Sequence, residues 1–440
     1  MGFFCIINAK LMLLEDLHTL FLSCSGGVVI DTRKMVKDCF FVALKGDNFN
    51  ANTFASNALS SGAKIVLIDD AHFYINENTI LVEDCLKTLQ SLAKFHRKFL
   101  NTRIIALTGS NGKTTTKELI YSVLSKKFNT LATNGNFNNH IGVPLTLLRL
   151  NSSHEMAVVE MGANHQKEIE FLCDIAQPDF GYITNFGKAH LEGFGGVEGV
   201  IKGKSEMYVH LIENSKFIFI NADDMKQMEK AKDGKLITFA TDSTKMPFFL
   251  FNQIEADPFV TVNFHDYTFM SNLTGIYNAT NVIAAISMGL YFDLKIDDIQ
   301  KAIKEYLPDN NRSQIIDKNS NKILLDAYNA NPSSMIVAIT HFVNYYKKDK
   351  VLFLGDMFEL GEQTKEEHTS IVHFMKDQGD SICFFIGKYF YDCKIDADHL
   401  FFFENISELQ YFLNSYPIQN KAILIKGSRG IALEQVLEMI

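Results

Sequence analysis

Apolar positions fall into short unbroken runs rich in Val, Ile, Leu and Phe, and stretches with helical spacing separate one run from the next. Runs of this kind fit strands buried on both faces, as in parallel sheets covered by helices. In the first hundred residues the run DCFFVAL, a Gly- and Asn-rich turn (KGDNFNANT), a helix through Ala58 and the run AKIVLID predict a small α/β module. Further on, RIIALTG, MAVVEMGA, FGYITN and KFIFINADD predict the strands of a second sheet, with the helical stretch NATNVIAAISMGLYF near its end. Beyond Arg312, the segments NKILLDAY, KVLFLGD, SICFFIG, HLFFF and KAILIKGS each read as a strand followed by a helix, the alternation of a doubly wound sheet. The fold class expected is α/β, in three domains at 1–98, 99–311 and 312–440. No internal repeat, low-complexity tract or heptad seam is present.

Composition narrows the function classes. A chain of 440 residues with 47% hydrophobic and 21% charged residues can bury several cores, and about 150 residues per domain again suggests roughly three. The formal net charge of -9, with no basic run, argues against a nucleic-acid partner. Seven scattered cysteines (Cys5, Cys24, Cys39, Cys85, Cys173, Cys383, Cys393) form no C-x-x-C pair, as in reduced proteins of the cytoplasm, and they read as small core or surface residues. Asn8, Lys10, Glu15 and Asp16 interrupt the apolar N-terminus before an export signal or a membrane span can form. Ile6 stands where a myristoylation signal wants Ser or Thr, so no membrane insertion or lipid anchor is expected. Residues 1 to about 12 read as an extension without a part in the fold.

The strongest chemical signal is TGSNGKTTTKE, where an apolar run ends and Gly109, Ser110, Asn111, Gly112, Lys113, Thr114 and Thr115 follow, ahead of a helix through Leu124. Glycines let backbone N–H groups turn toward a phosphate, and the helix N-terminus adds partial positive charge. Lys113 can neutralise β- and γ-oxygens, and the Thr114 hydroxyl can coordinate Mg²⁺. The commoner spacing would require Gly where Leu107 stands, so this is the shorter T-G-x-x-G-K-T form. ATP is the expected ligand, and the central domain is expected to be a P-loop ATPase-like parallel sheet.

Downstream, Glu160 in VVEMGANH, His190 in NFGKAHLEGFG and Lys204 in VIKGKSEM each lie at or within a turn or two of a predicted strand end. Doubly wound sheets place ligands at the carboxyl edges of their strands, so a carboxylate and an imidazole could there hold a second Mg²⁺ near the nucleotide phosphates. Singly, such residues are more often structural, and Lys204 on its own reads as an exposed helix lysine. Asn136 and Asn138 in NGNFNNHIGVP carry no titrating group and suit hydrogen bonding to substrate or to loop backbone.

NGNFNNHIGVP, EMGANH, AHLEGFGGVEGVIKGKSE and the phosphate loop resemble the Mur ligase family in order and spacing, over nearly the whole chain. The resemblance implies an ATP-dependent carbon–nitrogen ligase that forms an acyl phosphate and uses two Mg²⁺ ions. It implies that Thr114, Glu160, His190 and Lys204 serve the metals, with Lys204 carbamylated by CO₂ so that its new carboxylate becomes a ligand. GIYNATN, with Asn278 and Asn281, is similar to the family's element at the adenine, whose N6 and N7 edge an Asn amide can match. Tyr277 stands where that element usually has His. Arg312 resembles the family's arginine that reaches a nucleotide phosphate, and Asp326 ends a strand as an acidic ribose-binding residue of a doubly wound fold would.

Within the family, DAYNANPSSM, GDMFELGE, His368 and KGSRG resemble the branch that adds D-alanyl-D-alanine, and the D-N-P-R element of the diaminopimelate-adding branch is absent. The substrates implied are UDP-N-acetylmuramoyl tripeptide and D-alanyl-D-alanine, in peptidoglycan precursor synthesis. Asp31, Thr32 and Arg33 are the candidates for the uridine-sugar pocket, and Tyr328, Asn329 and Asn331 for the amine pocket. Relatives usually carry D-G-H where this chain has Asn50, Ala51 and Asn52. A monomeric cytoplasmic enzyme is expected. The competing readings are another Mur-type or folylpolyglutamate-synthetase-like ligase, a non-catalytic nucleotide-sugar sensor, and a P-loop motor or switch; IDTRK and NANP argue against the folylpolyglutamate type, intact Lys113, Glu160, His190 and Lys204 against the sensor, and a second domain bearing Asp326 and NANPSS against the motor.

Overall fold

The computed structural model describes residues 5–7, 10–309, 311–347 and 349–440, the side chains of 5–12 excepted. These residues form two compact units, one of 1–106, 128–162 and 168–181, the other of 107–127, 163–167 and 182–440.

In the first unit a six-stranded sheet runs in the order Lys10–Met12, Cys5–Ile7, Thr79–Leu81, Ile65–Ile68, Phe40–Val42, Val28–Val29. The four strands from Val28 to Leu81 are parallel and the two leading ones antiparallel. The leading segment is thus no mere extension: Ile6 pairs with Leu81, while positions 1–4, 8 and 9 lie outside the described residues. Phe40, Phe41, Val66 and Leu67 are fully buried, as unbroken apolar runs require. The Gly-Asn turn forms a short hairpin, Lys45–Gly46 against Phe49–Asn50. Asp84 caps the helix Cys85–Leu100 by accepting from the Lys87 amide at 2.9 Å, and Asn101 ends it in the left-handed region. Strands Thr130–Ala132 and Met156–Glu160 pair in parallel in the same unit.

The second unit carries parallel strands Phe217–Asn221, Lys235–Ala240 and Phe249–Leu250, followed by an antiparallel sheet of Gln253–Ala256, Phe259–Phe264 and Tyr267–Thr274. Helix Ala279–Tyr291, buried almost all round, packs against helix Lys113–Leu124. The C-terminal sheet has the order Gln314–Lys318, Asn321–Asp326, Ala422–Lys426, Lys350–Gly355, Ser381–Ile386, Leu400–Phe403, parallel except at its first strand. The strand latest in the chain, Ala422–Lys426, sits between the first two parallel ones, and the helical segment after it is 3-10, at Arg429–Ile431 and Leu433–Glu438. Consequently Asp326, Gly355 and Lys426 end neighbouring strands on one edge.

Candidate active site

The strand Arg103–Thr108 ends where the loop begins, and Lys113 opens the helix Lys113–Leu124. Two glycines make the turn possible. Gly109 has φ +145 and Gly112 φ +78; a Cβ on Gly109 would lie 1.9 Å from Thr184 Oγ1, and one on Gly112 2.8 Å from Asn281 Oδ1. Ser110 Oγ donates to the Gly187 carbonyl at 2.9 Å, and the Asn111 amide donates to Asn185 Oδ1 at 3.1 Å. Lys113 Nζ donates to the Gly109 carbonyl at 2.8 Å, so the ammonium lies over the loop where a phosphate would sit. Thr114 and Thr115, half-buried, occupy the first helical turn.

Asn278 and Asn281 are buried behind this helix. Thr116 Oγ1 donates to Asn281 Oδ1 at 3.0 Å, Asn281 Nδ2 to Asn278 Oδ1 at 2.9 Å, and Asn278 Nδ2 to the Thr274 carbonyl at 2.8 Å. Both amides therefore brace the phosphate-loop helix, and Asn278 makes no cap with its side chain.

Loops at the carboxyl edge of the C-terminal sheet meet the same region. Asn331 caps the helix Pro332–Tyr345 with a capping box, and its Nδ2 donates to Asn111 Oδ1 at 2.7 Å. The Lys188 amide donates to Ser333 Oγ at 3.0 Å and Lys188 Nζ to Glu367 Oε1 at 2.5 Å. His190, with φ +54, precedes the short helix Leu191–Phe194, and its Nδ1 meets Glu359 Oε2. That bond holds the Glu359 carboxyl below the usual carboxylate range.

Asp326 accepts through both oxygens, one from Lys426 Nζ at 2.5 Å and the other from the Ser313 amide at 3.2 Å. Arg312 stacks on the Tyr328 ring, its guanidinium carbon 3.6 Å from the centroid, with Arg429 5.9 Å from the same centroid. Asn329 is exposed and its side chain accepts from the Ala330 amide.

Within the first unit Glu160, 1% exposed, ends the strand Met156–Glu160 and accepts from Asn138 Nδ2 at 2.8 Å. Asn138 is tied to the loop by its own amide and carbonyl, which bond the Asn136 carbonyl and the Gly162 amide. The Asn136 side chain is exposed. Asp31 caps the turn Thr32–Lys34 and takes a forked bond from the exposed Arg33 at 2.9 and 2.8 Å, which brings its carboxyl down to about 2. Asn52, fully buried, bonds Asp69 through both ends of its amide, and Lys45 pairs with Asp69 at 2.8 Å.

Lys204 corrects the reading made from its local sequence. It is 0% exposed on helix Val197–Glu213, its Nζ 5.2 Å from the Phe194 ring centroid. The signal was the glycine one residue earlier: a Cβ on Gly203 would lie 2.4 Å from Phe194 Cε1, so this face is tightly covered. Lys188, Ser333, Glu359 and Glu367 are the site residues the sequence did not single out. Among the described residues no three His, Cys, Asp or Glu side chains form a preformed metal cage. The six cysteines with described side chains are free and buried.

Fold and loop define a P-loop nucleotide-binding protein built on parallel α/β sheets. The Mur ligase middle domain matches residues 107–289, and the Mur ligase glutamate ligase domain matches 311–429. A Bacillus subtilis relative, UDP-N-acetylmuramoyl-tripeptide--D-alanyl-D-alanine ligase, is 34% identical over 94% of this chain and 92% of its own. Among solved structures, MurF from Acinetobacter baumannii superposes with a TM-score of 0.84 at 28% identity, covering 95% of this chain and 97% of that one. MurF ligase from Thermotoga maritima in complex with ADP gives 0.82 at 25% identity, covering 94% and 97%. The chain belongs to the Mur ligase family.

Proposed function

We propose that this chain is an ATP-dependent, ADP-forming ligase that joins D-alanyl-D-alanine to UDP-N-acetylmuramoyl tripeptide in peptidoglycan precursor synthesis, acting as a cytoplasmic monomer. The observation that carries the reading is a phosphate loop with Lys113 Nζ over it, contacted by loops of a second parallel sheet through Asn331 and Asn111. No helix among the described residues is long and apolar enough to cross a membrane. The domains proposed are 1–98 for the uridine nucleotide, with Asp31, Thr32 and Arg33; 99–311 for ATP; and 312–440 for the amine, with Tyr328, Asn329 and Asn331.

In this reading Lys113 and the helix N-terminus hold the γ-phosphate while the terminal carboxylate of the tripeptide attacks it, forming a C–O–P bond and breaking the bond to ADP. The dipeptide amine then adds to the acyl carbon, loses its proton, and phosphate leaves as the amide forms. Arg312 and Asp326 stand on the C-terminal side to meet the nucleotide, and docking of that side excludes water from the acyl phosphate.

Mg²⁺ fits the residues present. Glu160 is a buried carboxylate with one oxygen steadied by Asn138; it and the Thr114 hydroxyl are hard oxygen donors, and His190 would add a nitrogen donor. Two ions are proposed, which when bound neutralise phosphate charge. Lys204 is proposed to be carbamylated: its amine adds to CO₂ with loss of one proton, giving a buried carboxylate as a further ligand. A carbon-13 signal from labelled CO₂, present in the native chain and lost in Lys204→Arg, tests that point.

Release of ADP, measured with both substrates and with each alone, tests the assignment. Turnover is expected only when tripeptide and dipeptide are both present; ADP release indifferent to the dipeptide overturns it.

A further inference from the structure

Glu359 has no part in the reaction just described, yet it grips the His190 turn at two points. Its carbonyl accepts from the Glu192 amide at 3.2 Å, and its carboxylate bonds His190 Nδ1. Both residues hold the left-handed backbone region, Glu359 at φ +62 and His190 at φ +54. Gly361, at φ +58, lets the loop pass so closely that a Cβ there would lie 3.2 Å from Glu192 Cβ. Non-glycine residues in that region are strained, whereas a bond between side chains 19% and 49% exposed contributes little. Stability alone does not account for the arrangement.

The chemistry of the pair supplies a purpose. A carboxylate only accepts, so the proton of a neutral imidazole bound to it sits on Nδ1 and the lone pair is left on Nε2. Metal-binding histidines are commonly oriented in this way by an acceptor on the other nitrogen. We propose that Glu359 is a positioning residue for His190: it fixes the Nδ1–H tautomer and the ring plane so that Nε2 is presented to the metal. This inference rests on the reading of His190 as a metal ligand. Glu359 follows the strand Lys350–Gly355 of the C-terminal sheet, so its loop would also tie metal holding to the docking of that sheet's edge.

The test is Mn²⁺ binding, followed by electron paramagnetic resonance, to the full chain with a non-hydrolysable ATP analogue. Glu359→Ala is expected to weaken the more loosely held Mn²⁺ about 10-fold, and Glu359→Gln, whose amide oxygen can still accept, to weaken it less. The melting temperature should stay put, because the carboxylate is half exposed. In the double variant with His190→Ala, the Glu359 substitution should add nothing. If His190→Ala weakens Mn²⁺ and Glu359→Ala does not, the positioning role is wrong and the ligand assignment stands. If His190→Ala itself has no effect, the ligand assignment falls, and this inference with it.

Discussion

Acid should loosen the first unit through a buried pair of histidines. His18 and His96 are 3% and 1% exposed, with His18 Nε2 2.9 Å from His96 Nδ1 and His96 Nε2 2.9 Å from the Leu150 carbonyl. Burial favours the neutral form of both rings, and with both neutral one arrangement of protons satisfies the chain: His96 donates to the carbonyl and His18 donates to His96. Around His18 stand the rings of Phe21, Phe95 and Phe99. Burial, then the neighbouring His96, brings His18 down from 6.5 to about 4. As pH falls through 6.5 the unfolded chain takes up the proton first, so the stability is complete above that pH and is lost down to about 4. The loss is about 2 kcal/mol at pH 5 and about 3 kcal/mol at pH 4, and His96, also lowered by burial, adds in the same direction. Urea unfolding at pH 7.5 and pH 5, followed by circular dichroism, should show this drop. His18→Leu, which cannot titrate, should start about 1 kcal/mol lower at pH 7.5 for the lost hydrogen bond but shed about 2 kcal/mol less on acidification. An equal drop in variant and native chain would refute the reasoning.

Removing the ammonium over the phosphate loop, as Lys113→Ala, should cut ADP release by about 100-fold or more with folding intact, as read by steady-state kinetics and a melting curve. Gly109→Ala forces a Cβ to 1.9 Å from Thr184 Oγ1 and should abolish ATP binding, measured by calorimetry. Asp326→Ala would leave the Lys426 ammonium, 2% exposed, without its carboxylate; about 3–5 kcal/mol of stability should go, and Lys426→Met in the same chain should recover part of it in urea unfolding.

Legibility followed the range of the interaction. Strands such as Ile65–Ile68, Lys350–Gly355 and Ala422–Lys426 were visible because an unbroken apolar run buried on both faces has no other local solution. The phosphate loop was equally legible, since its glycines, lysine and helix start are consecutive. Missed were Gln253–Ala256, Phe259–Phe264 and Tyr267–Thr274, half-exposed antiparallel strands that lack the unbroken apolar run of the buried ones. Glu359 could not be paired with His190 from sequence, because 169 positions separate them and only the meeting of two sheet edges joins them. Lys204 looked exposed because its neighbours in sequence are polar, and the Phe194 ring that helps to cover it is ten positions away.

The central claim, that a peptide carboxylate is activated by direct transfer of the γ-phosphate, is tested most directly by isotope. Tripeptide carrying oxygen-18 in its terminal carboxylate is incubated with ATP, Mg²⁺ and D-alanyl-D-alanine, and the released phosphate is analysed by mass spectrometry. One labelled oxygen should move into each phosphate as the amide forms. Label found instead in AMP, or retained entirely in the peptide and water, would contradict it.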